Sequence, residues 1–131
     1  MIVLDENVFE SQRIRLRRWG IHLNQIGRDV GRKGMQDHEI ITLLRTLRRP
    51  TFVSRDSHFF HKTFCNERYS LVYLDVRPLE VAEYVRRVLR HPEFKTWSLR
   101  KGRVLRVAPK GISAWYVRVA RLSRYDWMDQ S

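Results

Sequence analysis

Asp5, Asp37 and Asp56 each stand where an apolar run meets a polar segment. Asp5 follows Ile2-Val3-Leu4, Asp56 comes just after Thr51-Phe52-Val53-Ser54, and Asp37 opens the stretch DHEIITLLRTLRR. Singly, each reads as a helix cap favoured by the helix dipole. Asn7 reads as a cap too, with Glu10 three residues on closing a capping box. As a group the aspartates read differently, because like charges held close are costly unless a cation lies between them. Hard oxygen ligands of this kind suit Mg²⁺ or Mn²⁺, which keep several waters and engage substrate phosphate. Such an ion polarises a phosphodiester and lowers the pKa of a bound water, and a second one stabilises the leaving oxygen.

The elements that must position these acids alternate along the chain. Met1 to Asn7 predicts a short buried strand ending in carboxylates, and Val8 to Trp19 a helix with a basic outer face that stops at Gly20. Ile21 to Ile26 alternates as a strand with one covered face, and GRDVGRKG, Gly27 to Gly34, reads as a flexible basic loop without the spacing of a phosphate cradle. Ile40, Leu43, Leu44 and Leu47 give the next segment a helical stripe that ends before Pro50. Thr51 to Ser54 is a third strand, followed by a short helix from Ser57 to Lys62. Leu71 to Val76 is a fourth strand, and Pro78 opens a helix striped by Leu79, Ala82, Val85, Val88 and Leu89. The sum is an α/β fold with a mostly parallel sheet and helices on both faces. In such sheets the strand carboxyl ends share one edge, where ligands bind, so all three acids are expected there.

The charge is the strongest compositional signal. Lys and Arg number 26 against 14 Asp and Glu, a net charge of +12, with arginine in excess. Such a balance is expected of domains that bind phosphate backbones, and arginine favours bidentate phosphate contacts. Between Phe94 and Tyr125 there is no acid but nine cations. Arg103 to Ala108 and Ala114 to Ala120 flank Pro109-Lys110-Gly111 and predict a β-hairpin. Leu105 and Val107 would share one face with Trp115, Val117 and Val119, leaving Arg106 and Arg118 on the other. The candidate nucleic-acid contacts are Arg100, Lys101, Arg103, Arg106, Lys110, Arg118 and Arg121. The competing reading is an edge hairpin whose arginines discourage aggregation.

The length allows one domain with a small appendage. A single cysteine, Cys65, excludes an intrachain disulfide and a cysteine-rich zinc site and suits a reducing compartment. No apolar run nears the roughly 20 residues of a membrane span, and Met1 leads straight into a strand, so a cytoplasmic protein without a membrane partner is expected.

The opening IVLDEN, the helix start DHEII and the strand end VSRDSHF resemble the short PIN-like nucleases. Their pattern is a strand ending LDEN, a helix opening with an acid and an apolar pair, and a strand ending T-R-D-x-D-F. The resemblance covers residues 1 to 97 and implies a PIN-type α/β/α sandwich there, with 98 to 131 as a basic C-terminal β-hairpin extension. It further implies metal-dependent ribonuclease activity with Mg²⁺ or Mn²⁺, and the role of toxin in a bacterial toxin–antitoxin pair, its partners being RNA and a small antitoxin protein. Homodimerisation is left open. Residue by residue it makes Asp5, Asp37 and Asp56 the catalytic, metal-holding acids, with Glu6 and Arg55 as auxiliary neighbours; from its own position two residues after Asp56, His58 is read as an auxiliary proton donor or outer ligand. The departure is His58, which stands where the family usually carries a second acid.

Two rivals come from other classes. A receiver-type phosphoacceptor needs a lysine and a hydroxyl at later strand ends, and VYLDVRP supplies neither. A non-catalytic RNA-binding module, in which the acids only cap helices, is separated from the nuclease by divalent-metal binding.

Overall fold

Ile2, Val3 and Leu4 are buried on alternate faces of one strand, and that alternation organises the molecule. The computed structural model describes residues 1 to 127. In chain order the elements are β1 (Ile2–Leu4), α1 (Glu10–Arg18), β2 (Leu23–Gln25), α2 (Asp37–Leu44), β3 (Thr51–Ser54), β4 (Ser70–Leu74), α3 (Val81–Arg90), α4 (Trp97–Arg100), β5 (Arg103–Ala108), β6 (Gly111–Tyr116) and β7 (Val119–Tyr125). All seven strands form one sheet in the order β2-β1-β3-β4-β5-β6-β7. The first five are parallel to their neighbours, and β6 and β7 return antiparallel.

Each face of the sheet carries its own core. Ile2, Leu4, Val53, Val72 and Leu105 point to one side, where Leu16 of α1 and Val81, Val85 and Val88 of α3 cover them. Val3, Phe52, Leu71 and Val104 point to the other, against Ile40 and Leu44 of α2 and Phe59. Two-sided burial is why these strands are runs of apolar residues.

The placement of helices has a topological consequence. The connection β1-α1-β2 runs one way along the sheet, whereas β4-α3-β5 runs the other way over the same face. Two such crossovers have opposite hands. The connections β2-α2-β3 and β3 to β4 run over the opposite face in the direction opposite to β1-α1-β2, and so share its hand. Parallel crossovers within one sheet usually share one hand, and β4-α3-β5 differs in hand from the other three connections.

Several expectations from sequence change. The hairpin is a three-stranded meander, because the turn at Pro109-Lys110 is tight and β6 begins at Gly111 rather than Ala114. Leu105 therefore pairs with Ala114 and Val107 with Ile112, while Trp115 packs into the opposite core beside Val104. A strand offset reassigns every side chain's face. The meander is also continuous with the parallel sheet through β5, and a boundary between residues 97 and 98 falls inside α4. The last four residues of the segment 98 to 131 lie outside the described residues. Helix α2 stops at Leu44, well before Pro50. The residue before that proline, Arg49, has φ of 51°, a conformation no helix can include. Instead of one helix from Ser57 to Lys62 there are two short 3₁₀ turns, Ser57–Phe59 and Lys62–Phe64.

Arg100 is corrected as well: it is not a surface cation but 5% exposed. Its Nε donates to Thr51 Oγ1 at 3.0 Å and its Nη1 to the Phe94 carbonyl at 2.8 Å, which ties α4 beneath the strand N-termini. Arg100→Ala leaves both acceptors dry and unpaired, so a loss of about 2 to 4 kcal/mol is expected. Thermal unfolding should show a fall of roughly 10 °C; an unchanged melt would mean that the guanidinium contributes nothing net.

Candidate active site at the carboxyl edge of the sheet

From β1 the chain leaves towards β2, and from β3 it leaves towards β4, so the loops after these adjacent strands diverge. That is the switch point of an open α/β sheet, where a crevice must form. A crevice of about 320 Å³ is found there, lined by Asp5, Asn7, Val8, Arg55 and Asp56.

Ser54 joins the two strand ends. Its hydroxyl donates to Asp5 Oδ2 at 2.7 Å and accepts the Asp56 backbone N–H at 3.0 Å. The residue is 1% exposed, so its rotamer is held by packing. Sequence reasoning counted Ser54 only as the end of a strand; a small hydroxyl residue directly before an acid-bearing loop was the available signal. Burial pushes the Asp5 carboxyl above the usual carboxylate range, the Ser54 hydrogen bond opposes this, and the charges of Glu6 and Asp56 add to it. The loop carrying Asp5 is fixed by Gln25, whose Nε2 donates to the carbonyls of Asp5 and Val8 at 3.1 Å each.

Asp37, Asp56 and His58 form a tighter group, each offering a ligand atom within 4.8 Å of the others. His58 Nδ1 lies 3.7 Å from both Asp37 Oδ2 and Asp56 Oδ1, too far for a hydrogen bond but within ion-pair reach. The histidine is thus drawn into the cluster rather than standing apart at a helix start, and Asp5 joins it through Ser54 and the shared crevice. Glu6 acts at a distance from the cluster: its Oε1 accepts the Gly34 N–H at 2.9 Å and anchors the loop leading to Asp37. Arg55 donates from Nε to the Val76 carbonyl at 2.9 Å while lining the crevice.

Capping accounts for only one of the three aspartates. Asp56 Oδ1 accepts the His58 N–H at 2.9 Å. At the start of α2 it is Glu39, not Asp37, that accepts the Gln36 N–H, at 2.9 Å. Asn7 does not cap α1 either, because Phe9 occupies the cap position and Glu10 instead faces Arg13 and Arg28. Among the described residues no Lys or Arg pairs with Asp5, Asp37 or Asp56, although five other acids, Glu10, Glu39, Glu67, Asp75 and Glu83, are arginine-paired. Two carboxylates and an imidazole nitrogen, with a desolvated third carboxylate nearby, are a donor set that fits a divalent cation, and the imidazole favours Mn²⁺ over Mg²⁺.

His58→Asp tests that donor set. A third carboxylate in the cluster is expected to tighten Mn²⁺ binding about tenfold in titration calorimetry, about 1.4 kcal/mol. Unchanged affinity would remove position 58 from the ligand set.

The basic candidates divide. Arg106 and Lys110 line a second cavity, of about 510 Å³, with Arg124 at the same carboxyl edge, although Arg106 Nη2 is held at 2.5 Å from Asp75. Arg118 sits at the far end of the meander, bound to Glu67 at 2.5 Å, so it is no free phosphate ligand. Lys101 and Arg103 also lie at that strand N-terminal edge of β5, and the Arg103 guanidinium stacks 4.7 Å from the Tyr116 ring. Arg121 is exposed on β7. The basic face expected from Arg106 and Arg118 together is therefore not one surface. No family model, curated protein or solved structure matches the chain.

Proposed function

We propose that this protein is a divalent-metal-dependent endoribonuclease whose metal-holding acids are Asp5, Asp37 and Asp56. The observation that carries the reading is that Asp56 belongs both to the switch-point crevice with Asp5 and to the close group with Asp37 and His58, so that three carboxylates without Lys or Arg partners meet around it in a chain bearing +12. Among the described residues other acids are also without arginine partners, but Asp37 and Asp56 have ligand atoms within 4.8 Å of one another and Asp5 feels the charge of Asp56, a closeness that a bound cation would relieve. The resemblance to short PIN-like nucleases rests on motifs that contain these same acids, agrees with the reading, and makes a toxin restrained by a small antitoxin protein the proposed setting.

When bound, Mg²⁺ or Mn²⁺ supplies an activated water and a polarised phosphate. The chain's own residues do the rest. Asp5, Asp37 and Asp56 would hold the ion with His58 as a further donor, Asp5 being kept in place by Ser54. Arg55 presents a guanidinium to the crevice, suited to charge developing on a phosphoryl group. Arg106, Lys110 and Arg124 draw a polyanion towards the same edge. No side chain has to serve as a covalent nucleophile.

A second reading is favoured by one observation: His58 Nδ1, at 3.7 Å from both Asp37 and Asp56, gives the two carboxylates a side-chain neighbour without a metal. That is the non-catalytic RNA-binding module. Labelled structured RNA incubated with Mn²⁺, Mg²⁺ or EDTA decides between them. Cleavage in Mn²⁺, slower in Mg²⁺ and absent in EDTA, is expected, whereas binding without cleavage in Mn²⁺ would establish the second reading.

A further inference from the structure

The loop Gly27 to Gly34 turns out to be folded rather than slack. The Asp29 carboxylate accepts the Gln25 N–H at 2.8 Å, Gly27 N–H bonds to the Val30 carbonyl at 2.9 Å, and Glu6 takes Gly34 N–H. Gly27 has φ of +84°, and a Cβ there would lie 2.8 Å from Lys33 Cγ, so only glycine lets the lysine stem lie against the turn. These contacts bring Arg28 and Lys33 to the rim of a cavity of about 280 Å³ whose inner wall includes Arg13.

Arg13 is an unusual wall residue. It is 7% exposed, and its Nε, fully buried, has no hydrogen-bond partner. An unpartnered buried donor is costly. Among the described residues the acid that reaches the guanidinium is Glu10, whose Oε1 lies 3.1 Å from Arg13 Nη2 and 3.7 Å from Arg28 Nη1. Glu10 itself is 65% exposed. An exposed surface carboxylate thus sits between two guanidiniums, in the position an external anion would take. The cavity shares Val8 and Glu6 with the loop that bears Asp5 and lies on the β2 side of the carboxylate crevice.

We infer that Arg13, Arg28 and Lys33 form a phosphate-binding subsite that holds an RNA backbone phosphate beside the crevice, displacing Glu10 from the two guanidiniums. This rests on the ribonuclease reading for the identity of the polyanion. It adds a second anchoring point on the opposite side of the carboxylates from Arg106, Lys110 and Arg124. A strand gripped at β2 and at β5 crosses four strand spacings, roughly 19 Å, with the carboxylates in between.

The test is binding in EDTA, where no cleavage occurs, by fluorescence anisotropy of an unstructured ten-nucleotide RNA. Arg28→Ala with Lys33→Ala should weaken binding at least tenfold at low salt. The salt slope should fall by roughly 1.4, two single-strand phosphates at about 0.7 each. The charge-matched pair Arg90→Ala with Lys95→Ala, exposed near the opposite edge, should change affinity less than about twofold. Glu10→Gln, which removes the competing carboxylate, should tighten binding about three- to tenfold. Equal losses for the two charge pairs, or a Glu10→Gln variant no tighter than wild type, would overturn the subsite. Arg13 is left intact because its burial makes a folding defect the expected result of truncation. Absence of cleavage by the wild type in Mn²⁺ would refute the ribonuclease reading but leave these binding outcomes to be judged separately.

Discussion

Asp5→Asn is expected to abolish RNA cleavage, with a loss of about 10³-fold or more in turnover, about 4 kcal/mol of transition-state stabilisation. The variant keeps the shape of the side chain and can still accept the Ser54 hydroxyl, so the charge alone is removed. The same substitution should stabilise the metal-free protein. Burial raises the Asp5 carboxyl above its ordinary value. Between that ordinary value, about 3.9, and the higher folded one, the native state holds more protons than the unfolded chain. Stability contributed by Asp5 is therefore greatest at the acid end and is lost as pH rises through the folded value. At neutral pH the ionised carboxylate is a net cost that Asn avoids. Melting curves in EDTA should place Asp5→Asn above wild type at pH 7, with the difference vanishing near pH 4. Cleavage surviving in the variant, or a lower melt at pH 7, would remove Asp5 from the site.

Ser54→Ala carries the second-largest effect, about 10- to 100-fold in activity or metal affinity, the range seen when a group that orients a ligand is lost. Its hydroxyl is the one atom that touches both Asp5 and the backbone of Asp56. Ser54→Thr, which keeps a hydroxyl, should recover part of the loss if its methyl is accommodated. A merely structural role would lower the melting temperature and leave Mn²⁺ affinity in the folded protein unchanged. Parallel calorimetry separates the two.

Much of this arrangement was legible before any coordinates. The strands 51 to 54 and 103 to 108 were read to the residue, because apolar runs bounded by polar residues and proline have few alternatives. The acids at strand ends were placed at one edge by topology alone. What escaped the sequence was contact across long separations. Ser54 matters through a residue 49 positions earlier. Arg100 is buried through Thr51, also 49 positions away, and nothing local marks one arginine among many as internal. Arg118 meets Glu67 over a span of 51 residues, which converts a supposed phosphate ligand into half of an ion pair. The glycine-rich loop was misread for a different reason: its turn is closed by backbone bonds such as Gly27 N–H to the Val30 carbonyl, and the side chains that tie it down, Asp29 and Glu6, fit no phosphate-cradle spacing.

The reversed crossover bears on how the protein is made. On a ribosome, strands β1 to β4 can assemble while β5 is still unsynthesised, and α3 then docks on the face that α1 already occupies. Throughout that interval β4 presents an unpaired, apolar edge, since its partner begins only at Arg103. Open strand edges invite pairing with other chains, and late long-range pairing prolongs the exposure. The meander, built from neighbouring strands with short turns, closes quickly once it emerges. Nascent chains halted before residue 103 should therefore be the ones that engage chaperones, and release should follow the arrival of β5 to β7 as a single late unit.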